Sequence, residues 1–306
     1  MNATRLLILL LTSCALFAQV SPERPRILGI AHVAVHTSDF GKTRVFYQDF
    51  LGFAEAFTLK RPDSTDCIAY IKVNDRQYVE LSSDQQAANQ LNHFALYTDN
   101  AAGMRDYLVR RGIKVLGPVH KGNIGNDFFS VRDPDGHLLE IVQYQRDSWT
   151  GQDQGAHMPA GRISDHIAQI GIRVGAEKPT LQFYQEIFGL VELSSGKASA
   201  TQNGWINLRV PDGTDTINFL LYRNLSPMLQ PSVHEYVRFA RSDVPKAISE
   251  LQVRSALHST WYQGSIPFPT NQTQFGLFDP DGTLIEITQP DVAGVAFLPY
   301  SASSPR

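Results

Sequence analysis

Residues 28–37 are almost continuously apolar and rich in β-branched side chains, the pattern of a buried strand. Ser38 and Asp39 then offer an N-cap to an amphipathic stretch that runs to about Phe50, and Gly52 suits the position just past a helix end. Three further strands are predicted at about 54–59, 67–73 and 78–82, the last two joined by a short turn at Asn74-Asp75. The order is βαβββ. It restarts at His93, with a helix over about 100–111 that breaks at Gly112 and strands near 113–118, 127–132 and 137–145.

The second unit closes through Asp133-Pro134-Asp135-Gly136, a turn with Pro favoured at its second position and Gly free to take positive φ. Nearly the same stretch returns as Asp279-Pro280-Asp281-Gly282, each copy leading into an apolar strand that contains a glutamate, Glu140 or Glu286. A repeat is the first thing such a chain asks to have explained. Two more units begin near Ile167 and Val237, and their register can be checked. His32 lies fourteen residues before Phe46-Tyr47, and Gln169 lies fourteen before Phe183-Tyr184, so Gln169 stands where the first unit has His32. The fold class is therefore α+β, built from four βαβββ modules. The domain reading places the amino-terminal pair at 27–146, a polar linker at 147–162, the second pair at 163–290 and an aperiodic tail at 291–306.

A chain of 306 residues is long for one core, which agrees with two domains of about 130 residues each. A formal charge of −3 gives no basic excess to recruit nucleic acid. The amino terminus differs from the rest: Arg5 precedes six apolar residues and small residues follow through Ala18. That run is shorter than a bilayer span, so it reads as a cleaved export signal over 1–18, with no membrane span in the mature protein and a periplasmic or secreted address. Leu11-Thr12-Ser13-Cys14 offers a second possibility, lipidation at Cys14. Cys14 and Cys67 are the only cysteines, so the mature chain has no intrachain disulfide.

The candidate chemistry is concentrated in the first half. His32, Glu80, His93 and Glu140 occupy equivalent strand positions in the first two modules. A lone histidine among Ile30, Ala31 and Val33 would read as a core residue. Glutamates in Tyr78-Val79-Glu80-Leu81 and Leu138-Leu139-Glu140-Ile141, however, would be costly to bury unpaired. Imidazole and carboxylate ligands suit one divalent transition metal (Ni, Zn, Mn, Co or Fe), and four of them on an octahedral ion leave two positions for substrate oxygens or water.

With its first-strand histidines, its Phe46-Tyr47 and Leu51-Gly52 helix end and its Asp-Pro-Asp-Gly turns before a glutamate-bearing strand, the chain resembles the vicinal oxygen chelate superfamily, which includes glyoxalase I, extradiol dioxygenases and the bleomycin and fosfomycin resistance proteins. The resemblance covers nearly all of the chain beyond the signal. It implies two paired, cupped mixed sheets with flanking helices, and ligands projecting inward from the first and fourth strands of each module: His32, Glu80, His93 and Glu140. Sequential pairing of the modules gathers all four, whereas swapped pairings divide them, and a site within one chain leaves monomer or homodimer open.

Strand period two puts His36, Tyr78, Ser82, Tyr97, Leu138 and Val142 on the ligand face, as a pocket for a small-molecule substrate. His36 falls where glyoxalase I commonly places an arginine for glutathione, which argues against a glutathione substrate. In the second half the first-strand slot of the fourth module reads as apolar within Val237-Arg238-Phe239, and the fourth strand of the third module offers Asn218 or Phe219 according to register. The expectation there is a degenerate, metal-free site, with Glu286 paired to a neighbour and Arg173 and Arg241 as solvated strand-end residues or, alternatively, as an anion-binding pair. The functional expectation is an exported metal-dependent enzyme of lyase or isomerase type, with Glu140 and Glu80 as proton carriers. Its alternatives are extradiol-type ring cleavage by His32, His93 and Glu140, and non-catalytic binding of a small molecule in the manner of the resistance proteins.

Overall fold

The computed structural model of the protein describes residues 23–83, 91–197, 204–222, 234–257, 268–271 and 273–290. The expected export signal, Cys14 and the tail after 290 lie outside the described residues. Among the described residues, sixteen strands form two eight-stranded sheets. The first contains β1 (Gly29–His36), β2 (Ala54–Lys60), β3 (Asp66–Asn74), β4 (Gln77–Ser82), β5 (His93–Tyr97), β6 (His120–Lys121), β7 (Asp127–Arg132) and β8 (Leu138–Gln143), in the order β2-β3-β4-β1-β5-β8-β7-β6. The second repeats that topology with β9 (Ile167–Val174), β10 (Val191–Gly196), β11 (Gly204–Arg209), β12 (Thr216–Leu221), β13 (Tyr236–Ala240), β14 (Phe268–Asn271), β15 (Gln274–Phe278) and β16 (Leu284–Thr288). The modules thus pair in sequence order, one with two and three with four. β1 lies parallel to β4 and antiparallel to β5, which is itself parallel to β8, so four central strands meet at the middle of the first sheet.

Helix α1 starts at Phe40, capped by Asp39, whose side chain accepts from the Lys42 amide; it runs through Phe40–Arg44 and widens to π-type turns over Val45–Phe50. The wider turns carry two consecutive aromatics, Phe46 and Tyr47, into the core, with their rings edge to face at 5.0 Å. Gly52 follows at φ +79°, where a Cβ would also meet the Gly161 carbonyl oxygen at 2.7 Å, so only glycine fits. Helix α4 (Glu177–Leu181, widening over Gln182–Ile187) repeats the arrangement with Phe183 and Tyr184. Helices α2 (Ala101–Arg110) and α5 (Val244–Leu257) belong to the second and fourth modules. One sequence expectation fails here: residues 113–118 form no strand, only a single bridge from Val115 to Val131, because Gly117 at φ +124° and Pro118 interrupt the extended chain before the two-residue β6.

One face of each sheet feeds a common core: Val33, Val35, Val79, Leu81, Phe94 and Ile141 from the first, and Ile170, Ile172, Phe219, Phe239 and Ile285 from the second. Burying an aliphatic or aromatic side chain of this kind contributes about 1.5–3 kcal/mol. The repeated motifs meet across the halves. Tyr47 donates to Asp279 of the second Asp-Pro-Asp-Gly turn (3.3 Å), and Tyr184 donates to Asp133 of the first (3.0 Å). Asp281 accepts from the Ser38 amide and Asp135 from the Gly175 amide, each at the approach to the other half's helix. The connection between the sheets is folded against the first of them. Within it, helix α3 (Trp149–Gln152) is followed by Asp153, whose carboxylate holds the fully buried Lys72 at 2.8 Å, and Trp149 packs on Phe57.

His137 marks the junction of the halves, with Nδ1 2.7 Å from Asp133 and Nε2 3.4 Å from Glu235. Burial alone would lower its pKa, but the hydrogen bonds to Asp133 and Glu235 outweigh that and raise it to about 10. With the folded value above that of the unfolded chain, the stabilisation is complete below about pH 6.5 and is lost as the pH rises through 10. His137→Gln should lower stability at about pH 6 by on the order of 3 kcal/mol. Thermal melts should also show a flatter decline for the variant between pH 7 and 10 than for the native chain; parallel slopes would contradict this role for His137.

Candidate metal centre

The four central strands of the first sheet present His32, Glu80, His93 and Glu140 on the face opposite the core. Period two alone does not put them there. A bulge between Ile30 and His32 in the pairing of β1 with β5 shifts the phase of β1, so that both Ala31 and His32 turn away from the main core. In the resulting register Ala34 lies between Glu80 on one side and His93 on the other, and Ala95 lies between His32 and Glu140. Alanines at these positions leave room for the larger side chains to converge.

They do converge. His32 Nε2 is 3.1 Å from His93 Nε2 and 3.5 Å from Glu140 Oε2, which is 3.9 Å from His93 Nε2. Glu80 turns one oxygen to His32 Nδ1 at 3.4 Å and the other to His93 Nε2 at 3.8 Å, and His32, Glu80 and His93 offer ligand atoms all within 4.8 Å of one another. Ligand atoms about 2.1 Å from one ion would lie about 3.0 Å apart when cis and about 4.2 Å apart when trans in an octahedron. The separations among His32 Nε2, His93 Nε2 and Glu140 Oε2, and that from His93 Nε2 to Glu80 Oε2, fall in that interval, and the nitrogen and carboxylate donor set is one that borderline divalent ions accept. These residues therefore fit a transition metal.

The electrostatics of the cluster are those of charges withdrawn from water. Burial raises Glu80 to about 7, aided by the Glu140 charge and opposed by His32. Burial also acts to raise Glu140, but its bond to His32 and the charges of His93 and His120 win, and its pKa falls below the ordinary carboxylate value. Burial acts to lower His32, and Glu80 and Glu140 more than compensate, so its pKa is raised. Divalent charge at the centre would meet two carboxylates with different proton affinities, Glu140 the more readily ionised.

A cavity of 290 Å³ opens on the cluster. Of the pocket residues expected from strand period, Tyr78 and Val142 line it, while His36, Ser82, Tyr97 and Leu138 do not. The cavity runs across the strands rather than along them, so residues toward the strand ends lie beyond it: His36 and Ser82 are register partners at the ends of β1 and β4, and Leu138 begins β8. Tyr97 sits behind Tyr144, their rings stacked at 4.9 Å, and it is Tyr144 that faces the cavity. Sequence reasoning missed Tyr70, Phe128, Tyr144, His120, Asn126 and Thr150 in the lining. Tyr144 continues the Glu140–Val142 alternation and was within reach of the same rule. Tyr70 and Phe128 need the register, since they pair with Glu80 and Val142. Thr150 comes from the segment read as a linker, for which no sequence signal exists.

The second sheet shows what the same slots look like without these ligands. Register places Gln169 at the slot of His32, Asn218 at that of Glu80, Tyr236 at that of His93 and Glu286 at that of Glu140. The fourth-module slot is thus a phenol, not the apolar residue expected, because Val237 and Phe239 face the core and the regular alternation of β13 puts Tyr236 and Arg238 on the ligand face. The neighbouring same-face residue is Arg238, only 4% exposed, whose guanidinium bonds Glu286 through Nε (2.9 Å) and Nη2 and Gln169 through Nη1. Tyr236 donates to Gln169 at 2.7 Å and Asn218 to Tyr236 at 2.8 Å. Arg241, expected to be solvated, binds Glu250 and the carbonyls of Arg162 and Ile163.

Comparison with known proteins adds to this geometry. Residues 29–141, essentially the whole first sheet, match the glyoxalase/bleomycin resistance protein/dioxygenase superfamily. Virulence protein STM3117 of Salmonella typhimurium is 30% identical over 122 residues, 38% of this chain and 83% of that protein. Among solved structures, the 2,3-dioxygenase LapB from Pseudomonas sp. KL28 superposes with a TM-score of 0.64 at 13% identity, covering 87% of this chain and 93% of its own. The Mn(II)-bound glyoxalase from Novosphingobium aromaticivorans gives 0.62 at 18% identity, with 87% and 83% covered. The structural likenesses extend the shared fold over both halves, and the family match at residues 29–141 falls on the half that holds the histidine–glutamate cluster. The chain belongs to the glyoxalase/bleomycin resistance protein/dioxygenase superfamily.

Proposed function

We propose that the protein is an exported metal-dependent enzyme of glyoxalase-like lyase or isomerase type, taking a small substrate through two adjacent oxygens in the cavity of the first sheet. The observation that carries this reading is the position of Glu80. Its Oε2 lies 3.8 Å from His93 Nε2, so Glu80 can join His32, His93 and Glu140 as a fourth ligand and bring a second carboxylate to the reacting end of one cavity. A bound divalent ion would polarise a coordinated carbonyl and so acidify the neighbouring C–H. Glu80 or Glu140 is then positioned to take that proton on a carboxylate oxygen and return it at the adjacent carbon. Tyr70, Phe128, Val142 and Tyr144 give the cavity an apolar, aromatic wall that keeps bulk water from the proton in transit.

A second reading is favoured by one specific contact. Glu80 Oε1 faces the Nδ1 of His32, the nitrogen remote from His93 and Glu140, which is where an outer carboxylate would orient a metal-bound imidazole. In that arrangement His32, His93 and Glu140 form a two-histidine, one-carboxylate face with open positions, the donor set of ring-cleaving oxygenases.

Elemental analysis of the mature protein should find about one equivalent of transition metal, and His93→Ala should lose nearly all of it; equal metal in both would remove the cluster from consideration. Glu80→Gln separates the two readings. For proton-transfer chemistry it should lower kcat by about 10²–10⁴-fold on whatever substrate the native enzyme turns over. Retention of activity within about tenfold, with tightly held Fe(II) and oxygen uptake on catechols, would establish ring cleavage instead.

A further inference from the structure

The bulge that puts His32 on the ligand face is held by a residue of the other half. Ile30 packs in the main core, and strict alternation from it would send His32 into the core as well. Ala31 is the extra residue, since Ile30 pairs with Leu96 and His32 with the adjacent Ala95. The amide of Ile30, where the bulge begins, donates to Asp215 Oδ2 at 2.7 Å in buried surroundings. Asp215 immediately precedes β12 of the second sheet and is itself buried. Its turn is seated on the chain that enters β1. Asp212 accepts from the Ile27 amide at 2.8 Å and returns its own amide to the Ile27 carbonyl at 3.2 Å. Gly213 lies so near that a Cβ would stand 2.2 Å from the Leu28 carbonyl oxygen.

The second sheet carries the same bulge at the same place, with Ala168 as the extra residue between Ile167 and Gln169. There the Ile167 amide donates to Gln77 Oε1 at 2.8 Å. Gln77 precedes Tyr78, the register partner of His32, just as Asp215 precedes Thr216, the register partner of Gln169. Each half thus answers the other's bulge amide from the equivalent position. The two side chains also meet, Gln77 Nε2 donating to Asp215 Oδ2 at 3.1 Å, and the other oxygen of Asp215 faces His166 Nε2 at 2.9 Å. A carboxylate restrains a backbone amide more strongly than a neutral amide oxygen does. The stronger restraint falls on the bulge that carries a candidate ligand, not on the one that carries Gln169.

We infer that Asp215 is a positioning residue for the metal centre: by fixing the bulge of β1 from the second half, it turns His32 toward His93, Glu80 and Glu140. The inference rests on the reading of those four residues as a metal site and adds that the site is complete only with the second half docked. Gly29 belongs to the same device. A Cβ there would stand 2.6 Å from Asp215 Oδ2, so glycine is what lets the carboxylate reach the Ile30 amide. With the bulge released, plain alternation of β1 competes, and a one-residue change of phase takes His32 off the ligand face while Glu80, His93 and Glu140 stay.

Mn(II) titration and the visible spectrum of bound Co(II), both on the full chain, test this. Asp215→Ala should weaken Mn(II) binding by about tenfold or more and alter the Co(II) band. Gly29→Ala, which keeps the carboxylate but displaces it, should do the same. Asp215→Asn retains an oxygen that can accept from the Ile30 amide and should restore most of the affinity and the native spectrum. Tyr47→Phe removes a contact between the halves outside the bulge, so it should lower the melting temperature and leave Mn(II) affinity unchanged. Native affinity and an unchanged Co(II) band in both Asp215→Ala and Gly29→Ala would overturn the inference and leave the metal site standing. Equal losses in Asp215→Ala and Tyr47→Phe would also overturn it, by assigning the effect to the docking of the halves in general. Uptake of neither ion by the native protein would remove the metal site and the inference together.

Discussion

Two carboxylates and two imidazoles, drawn out of water onto one face of a sheet, are the constraint around which the rest is arranged. Buried carboxylates are tolerable only when a positive charge neutralises them. The protein meets that requirement twice, in two ways. In the first sheet His32, His93, Glu80 and Glu140 close on a point that suits a divalent ion. In the second, Glu286 is the only carboxylate left at the corresponding slots, and the cation is covalently supplied as the guanidinium of Arg238. A group held by the chain has no coordination positions to offer a substrate, which is why only the first sheet is equipped for metal chemistry.

The two halves are not independent carriers of these faces. Each Asp-Pro-Asp-Gly turn is gripped by the tyrosine of the other half's first helix, Asp279 by Tyr47 and Asp133 by Tyr184. The first turn leads directly into β8 and thus into Glu140, so the second half helps fix the strand on which a ligand stands. The connection between the sheets has a similar double use. It anchors Asp153 on Lys72 and brings Thr150 to the cavity wall. A degenerate second half would therefore still be needed by the first.

Much of this was legible in the residues. The fourfold module, the Asp39 cap, the Gly52 helix end and the four ligand candidates all follow from local rules, since a strand's period and the cost of burying a glutamate operate over a few residues. What escaped depends on longer-range geometry. Period two extended from His32 and Glu80 reached His36 and Ser82 but not the cavity, because the cavity crosses strands that only sheet register aligns. Which face of β13 meets the core is set by its pairing with β9 and β16, so a phenol and a guanidinium were read as an apolar slot. Gly117 and Pro118 ended a strand that the apolar pattern continued.

The central claim is that one cation belongs to the first sheet and none to the second. Anomalous scattering from crystals grown with Mn(II) tests it directly. The account predicts one strong anomalous peak between His32, His93 and Glu140, within bonding reach of Glu80, and no peak beside Arg238. A peak at Arg238, or none among the four first-sheet residues at full Mn(II) loading, would contradict it.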